Sequence, residues 1–267
     1  MVRLSKILTY VACALLLTHC SSPSKESWQT TPDKSIYLLG ASIAHPANTW
    51  FEMGCEELKL NPHNKATGGG RKIGNDVVAI SQGEILTPSE HDDFDLLVIM
   101  HCHNAMVDDE SMLLDDYHNY TLDVDMDYSQ GFDYVIRTYI DQCRALEHNE
   151  ASKWFGVEGG KPVKILLCTY WHDAREIYNS SIRRLDEKWG DYTYICPFDT
   201  EIGFSKDEPD PITGEQVSIQ YAKNGIGDTE IICGETYGWH PTRGRDAEIQ
   251  QRMAAIFASA VREIPGL

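Results

Sequence analysis

A chain of 267 residues that is 42% apolar and 10% aromatic can bury a sizeable core, which excludes wholesale disorder. Its 41 acidic and 23 basic residues leave a net charge of −18. That balance argues against nucleic acid or an anionic membrane surface as partner, since both need a basic footprint.

In chain order, the basic "MVRLSK" precedes "ILTYVACALLL", an apolar run too short to span a bilayer comfortably, as in an export signal. "LLTHCSS" then resembles a lipoprotein signal with Cys20 as the residue lipidated, although His19 stands where a small residue is usual. Residues 1–20 therefore read as signal peptide and lipobox, 21–34 as a polar tether and 35–267 as a single domain. Any membrane contact runs through the N-terminal anchor, and the expected location is the cell envelope. Beyond Cys13 and Cys20, no Cys-x-x-Cys spacing occurs, and Cys102, Cys168 and Cys196 close apolar runs as small buried hydrophobes would.

The domain alternates strand-like with helix-like stretches. "KSIYLLG" (34–40), "FDLLVIM" (94–100) and "KPVKILLCTYW" (161–171) are continuous apolar runs, as strands covered on both faces would be. "DYTYICPF" (191–198) reads as a last strand. Between them, "NTWFEMGCEELKL" has helical character, and "GFDYVIRTYIDQCRALE" sets Phe132, Val135, Ile136, Tyr139, Ile140, Cys143 and Leu146 on one helical stripe. Residues 173–189 form another helix, with Asp173 as the expected N-cap, and 246–264 a final one. Two stretches break the rhythm: the acidic 105–130, and 199–233, where a hairpin is expected around "EQVSIQYAKNGIGDTEIIC". The pattern predicts a three-layer α/β/α domain on a flavodoxin-like open parallel sheet of about five strands. Ligands in such sheets bind beyond the carboxyl ends of the strands, which directs attention to Ser42 and to residues 101–104.

Four segments in order resemble the SGNH, or GDSL-like, hydrolase superfamily: "GASI", "NKATGGG", "HCHNA" and "YGWHP". The resemblance implies that Ser42 is the nucleophile and His240 the general base. It also implies that Gly69 and Asn104 belong to the oxyanion hole. Taken singly, Ser42 is a turn serine, Asn104 a turn or cap residue and His240 a surface histidine before proline; their order together carries the resemblance. The chemistry wants these types: a serine hydroxyl needs a base within hydrogen-bond reach, and the tetrahedral oxyanion needs N–H donors aimed at it. The departures concern acids. Ala41 and Ala105 replace the family's aspartates, and Tyr237 stands three residues before His240, where the triad acid belongs. Glu235 is then the first candidate to orient His240, with a backbone carbonyl or Tyr237 itself as alternatives.

His45, His103 and Trp239 are candidates to line the substrate pocket. Trp50 and Trp171 could also stack on sugar rings, although core packing is the commoner fate. "HCH" offers His101 and His103 on one strand face, but no structural-zinc spacing accompanies them, so no metal or other cofactor is expected. Asp123, Asp125 and Asp127 have calcium-loop spacing without the glycine and glutamate that such a loop needs. The expected function is an exported serine ester hydrolase acting on small acyl esters, with O-acetyl groups on carbohydrate preferred. The rival expectation is a catalytically silent protein of the same fold that binds glycan or a surface partner.

Overall fold

The run "SIYLLG" forms β1 (Ser35–Gly40), buried along its whole length. Alternation sends Ile36 and Leu38 into one apolar cluster and Tyr37 and Leu39 into the other, so this strand has a core on both faces. This computed structural model describes residues 34–45, 49–101, 104–107, 112–222 and 228–267. The expected export signal, Cys20, the expected tether up to residue 33, Cys102 and His103 lie outside the described residues.

The chain continues through α1 (Trp50–Leu58), β2 (Asn61–Asn64), α2 (Ile73–Ser81) and β3 (Leu96–Met100). Next come α3 (Tyr128–Ala145), β4 (Ile165–Cys168), α4 (Glu176–Trp189) and β5 (Thr193–Cys196). Short helices α5 (Phe198–Glu201) and α6 (Val217–Tyr221) precede a hairpin, β6 (Thr229–Ile232) and β7 (Glu235–Gly238), and the chain closes with α7 (Glu248–Arg262). The main sheet has five parallel strands in the order β2-β1-β3-β4-β5. Residues of α1 and α7 pack in the cluster on one face, and those of α2, α3 and α4 in the cluster on the other. This is the expected three-layer α/β/α, flavodoxin-like architecture. The stripe on α3 is buried at every position from Phe132 to Leu146 that the periodicity selected. Because α1, which follows β1, and α3, which follows β3, lie on opposite faces, the crossovers diverge at these neighbouring strands, and their carboxyl ends are where an open sheet of this kind forms its crevice.

Four local features differ from the sequence expectation. β2 ("NPHN") is an exposed polar edge strand, which carries no apolar signal, and edge position tolerates its proline. α4 begins at Glu176 with Arg175 at the cap, so Asp173 is not the N-cap. Residues 217–221 are helical, and the hairpin lies later, at β6–β7. Its turn falls on Cys233 and Gly234, both at positive φ, where cysteine gives no turn signal by type. Finally, α3 starts at Tyr128, with the Asp127 carboxylate accepting the Gln130 N–H. The other two aspartates of the trio with calcium-loop spacing also have local tasks: Asp125 pairs with Lys72, and Asp123 accepts the Asp125 N–H at 2.8 Å.

The core supports the crevice directly. Trp50 is fully buried, its ring 5.1 Å from Phe198 and 5.3 Å from Phe257. Its indole N–H donates to the Ile43 carbonyl (3.3 Å), in the turn that carries Ser42. The Trp50 backbone N–H donates to Gln250 on α7 (2.9 Å), whose amide in turn donates to the Thr242 carbonyl (3.0 Å). One buried cluster thus braces both chain segments that border the site.

Candidate active site

β1 ends at Gly40, where a Cβ would lie 2.9 Å from both Ala44 and the Met100 carbonyl, so only glycine permits the turn that follows. The Ala44 N–H closes that turn on the Ala41 carbonyl at 3.0 Å. Ser42 sits within it, and its Oγ lies 2.7 Å from His240 Nε2. The pair is 198 residues apart in sequence and comes from two different sheets, since His240 follows β7.

His240 is held through its chain rather than by its own strand. The backbone just before it is gripped by the segment after β4. His172 Nε2 lies 2.8 Å from the Gly238 carbonyl, while the Ala174 N–H reaches His172 Nδ1 at 3.3 Å. The carbonyl only accepts and the amide only donates, so His172 is neutral with its proton on Nε2. Burial holds it neutral, pushing its pKa down to about 3. The Tyr170 hydroxyl (2.5 Å) and the Trp171 indole N–H (3.0 Å) both donate to the Trp239 carbonyl. The Gly238 N–H donates to Ser218 Oγ (2.9 Å), and a Cβ at Gly238 would lie 2.2 Å from the Ser218 carbonyl. Trp239 itself lies beside His240, with ring centroids 4.6 Å apart.

Burial lowers the pKa of His240, Asp228 raises it, and Arg243 and Arg175 lower it further. Asp228 stands just before β6, and its carbonyl accepts the Trp239 N–H at 2.9 Å across the hairpin. Arg175 is itself paired with Glu230, whose carboxylate also lies 2.9 Å from the Tyr170 hydroxyl oxygen and shares that hydroxyl's single proton with the Trp239 carbonyl. Glu235 and Tyr237 are not among the charges that bear on His240. Instead the Tyr237 hydroxyl donates to Glu235 (3.2 Å), and Tyr237 helps line a cavity of about 370 Å³ with Arg175, Tyr178, Ile232 and Cys233.

On the other side of Ser42, Lys65 and Thr67 donate to the Leu38 and Gly40 carbonyls (2.9 and 3.0 Å), extending the β2 segment alongside the end of β1. Asn64 ties the two together, donating to the Ala44 carbonyl at 2.9 Å and to Glu52 at 2.7 Å. His45 lies against Gly68, where a Cβ would meet its ring at 3.4 Å. Gly69 follows at φ +80°, exposed, with open space where a side chain would stand. Among the described residues, no protein acceptor meets the backbone N–H of Ser42 or of Gly69. Asn104 adopts a left-handed φ of +71°, which asparagine tolerates better than most residues, and its amide donates to the Arg71 carbonyl at 3.4 Å. Beneath it, His101 Nε2 lies 2.6 Å from Asp76 Oδ2, while Arg71 binds the other carboxylate oxygen (2.6 Å). His101 is therefore occupied in a buried hydrogen bond to Asp76. Among the described residues, no group of three His, Cys, Asp or Glu side chains is placed to hold a metal.

The structure thus brings Ser42, His240 and Trp239 together and sets His45 beside Gly68. Trp50 and Trp171 belong to the core. Sequence reasoning missed Asp228, Arg243 and the Tyr170–Trp171–His172 grip. The grip was within its means, because these residues directly follow a strand, where the crevice rule points.

With Ser42, Gly69, Asn104 and His240 at the crevice end in chain order, the α/β/α domain has the fold that the SGNH, GDSL-like resemblance implied. The chain belongs to the family described as a domain of unknown function (DUF5040), whose model matches residues 33–264. No curated protein matches it. Among solved structures it is similar to one described as a GDSL-like lipase from Bacteroides ovatus, at 13% identity over 87% of this chain and 99% of that one, TM-score 0.47. A second, from Bacteroides uniformis and described likewise, matches at 12% identity over 87% and 97% of the two chains, TM-score 0.47. A third, described as a lipolytic protein of the G-D-S-L family from Desulfitobacterium hafniense, matches at 9% identity over 85% and 99%, TM-score 0.40.

Proposed function

We propose that this protein is a serine ester hydrolase whose nucleophile is Ser42 and whose general base is His240. The observation that carries the reading is the 2.7 Å approach of Ser42 Oγ to His240 Nε2 at the mouth of the crevice. Burial keeps His240 neutral near pH 7, so Nε2 is free to accept the hydroxyl proton as Oγ attacks the ester carbon. The carbonyl oxygen becomes an oxyanion, which in this reading the N–H groups of Ser42 and Gly69 receive. The Asn104 amide joins them by leaving its long bond to the Arg71 carbonyl, because a charged acceptor binds more strongly than a neutral one. Collapse expels the alcohol, which takes its proton from His240. Water, deprotonated by the same imidazole, then releases the acid and restores Ser42.

In this reading Asp228, rather than Glu235 or Tyr237, supplies the charge that stabilises the imidazolium. Its field on His240 and its place opposite Trp239 in the hairpin support that assignment. Asp228→Asn is expected to cut kcat by roughly 10²-fold and to move the acid limb of kcat/KM to lower pH, since the histidine loses its stabilising charge. Glu235→Gln should leave the limb in place.

The substrate class proposed is a small acyl ester carried on carbohydrate, with Trp239 as a stacking surface for a sugar ring and His45, beside Gly68, as a further contact. Export and a lipid anchor at Cys20 would set the enzyme at the cell envelope, where such glycans occur. Labelling with a fluorophosphonate tests the serine chemistry: the adduct should map to Ser42 and be absent from Ser42→Ala. Equal labelling of both proteins would overturn it.

A further inference from the structure

Arg243 stands three residues after His240, and its Nη2 donates to the Ser42 carbonyl at 3.1 Å. Among the described residues that is the one hydrogen bond of its guanidinium, and most of its five N–H donors take no part in it. Other arginines of this acid-rich chain behave differently. Arg71, Arg137, Arg144, Arg175, Arg183, Arg245, Arg252 and Arg262 each meet a carboxylate. Among the described residues, Arg243 is paired with none.

With acids so abundant, an arginine without a carboxylate is most simply explained by a position where a partner arrives from outside. The position is specific, since its one bond among the described residues is to the backbone of the proposed nucleophile. It also carries a cost. Among the described residues, the charges that bear on His240 include Asp228 before β6, Arg175 before α4 and Arg243 in the loop after β7, and the two arginines oppose protonation of the base. If Arg243 served only to brace the Ser42 turn, a neutral donor would do so without weakening the base. A carboxylate bound to the guanidinium would remove that penalty at the moment of reaction, because the pair is close to neutral.

We propose that Arg243 receives a carboxylate of the substrate, so that the preferred ester is an acylated acidic sugar rather than a neutral one. This rests on the serine ester hydrolase reading and adds the charge of the substrate to it. The planar fork of a guanidinium suits a carboxylate in two-pronged contact. Trp239, beside His240, offers the same sugar ring an apolar face.

The test is a matched pair: O-acetylated galacturonic acid and its carboxyl methyl ester, which differ in one negative charge. Wild-type kcat/KM should favour the free acid by about tenfold or more, a difference that rising salt diminishes. Arg243→Gln should bring the ratio towards one, chiefly by raising KM for the acid, and Arg243→Lys should keep part of it. A wild-type ratio near one overturns the proposal, as does a ratio that survives Arg243→Gln or a loss of equal size for both esters. Calorimetric binding of the same pair to Ser42→Ala reads the preference without turnover, and equal affinities, or no binding of the acid, count against it. Turnover persisting in Ser42→Ala would instead sink the serine mechanism, so the two failures are separable.

Discussion

Turnover of a short-chain aryl ester is expected to fall by about 10⁴- to 10⁶-fold when Ser42 is replaced by alanine. The substitution removes one oxygen from a turn whose shape is set by Gly40, the Ala44–Ala41 hydrogen bond and the indole of Trp50, so the fold should be unaffected. What remains can bind and polarise an ester but has no oxygen to accept the acyl group. His240→Gln should cost a similar factor, and the double variant little more than either, because the two residues form one functional unit. Matching thermal denaturation curves with a loss of less than about tenfold would place the chemistry elsewhere.

The second large effect concerns acid. His91 and His172 are both fully buried, and burial pushes their pKa values down to about 4 and about 3. In the unfolded chain both protonate near pH 6.5, so below that pH the unfolded state binds protons that the native state refuses. Their stabilising contribution is therefore complete above pH 6.5 and is lost as pH falls through 6.5 towards 4 and then 3. The shifts correspond to about 3 and about 5 kcal/mol, a large part of the ~5–15 kcal/mol that a domain possesses. Tm should drop steeply across this window, and His91→Gln and His172→Gln should each flatten the drop. An unchanged slope in both variants would show that acid unfolding comes from other groups.

Much of the architecture was legible because the central strands are buried on both faces, which makes runs such as "FDLLVIM" unmistakable. β2 was not legible, since an exposed edge strand of polar residues is held by its neighbour's backbone and not by its own apolar pattern. The site divides along similar lines. Ser42, Gly69, Asn104 and His240 were legible as residue types following strands and turns in a fixed order. The charge on His240 was not, because Asp228 reaches it through hairpin pairing, and the hairpin is offset from where its turn residues suggested. Arg243 carried no signal at all in the sequence. Its interest lies in the absence of an acid beside it, which only the folded chain reveals.

The proposed nucleophile and the proposed base belong to different pieces of architecture. Ser42 is built into the end of the main parallel sheet, whereas His240 hangs from a separate two-stranded ribbon docked by Tyr170, Trp171, His172 and Ser218. The site is therefore a joint between two bodies of unequal robustness, and it exists only while the smaller is seated. A ribbon fastened by a few hydrogen bonds lets go more readily than a five-stranded sheet with a core on each side. The Ser42–His240 pairing is then a more fragile property of this molecule than its fold, and variation within the ribbon can retune the proposed base without disturbing the scaffold that carries the serine.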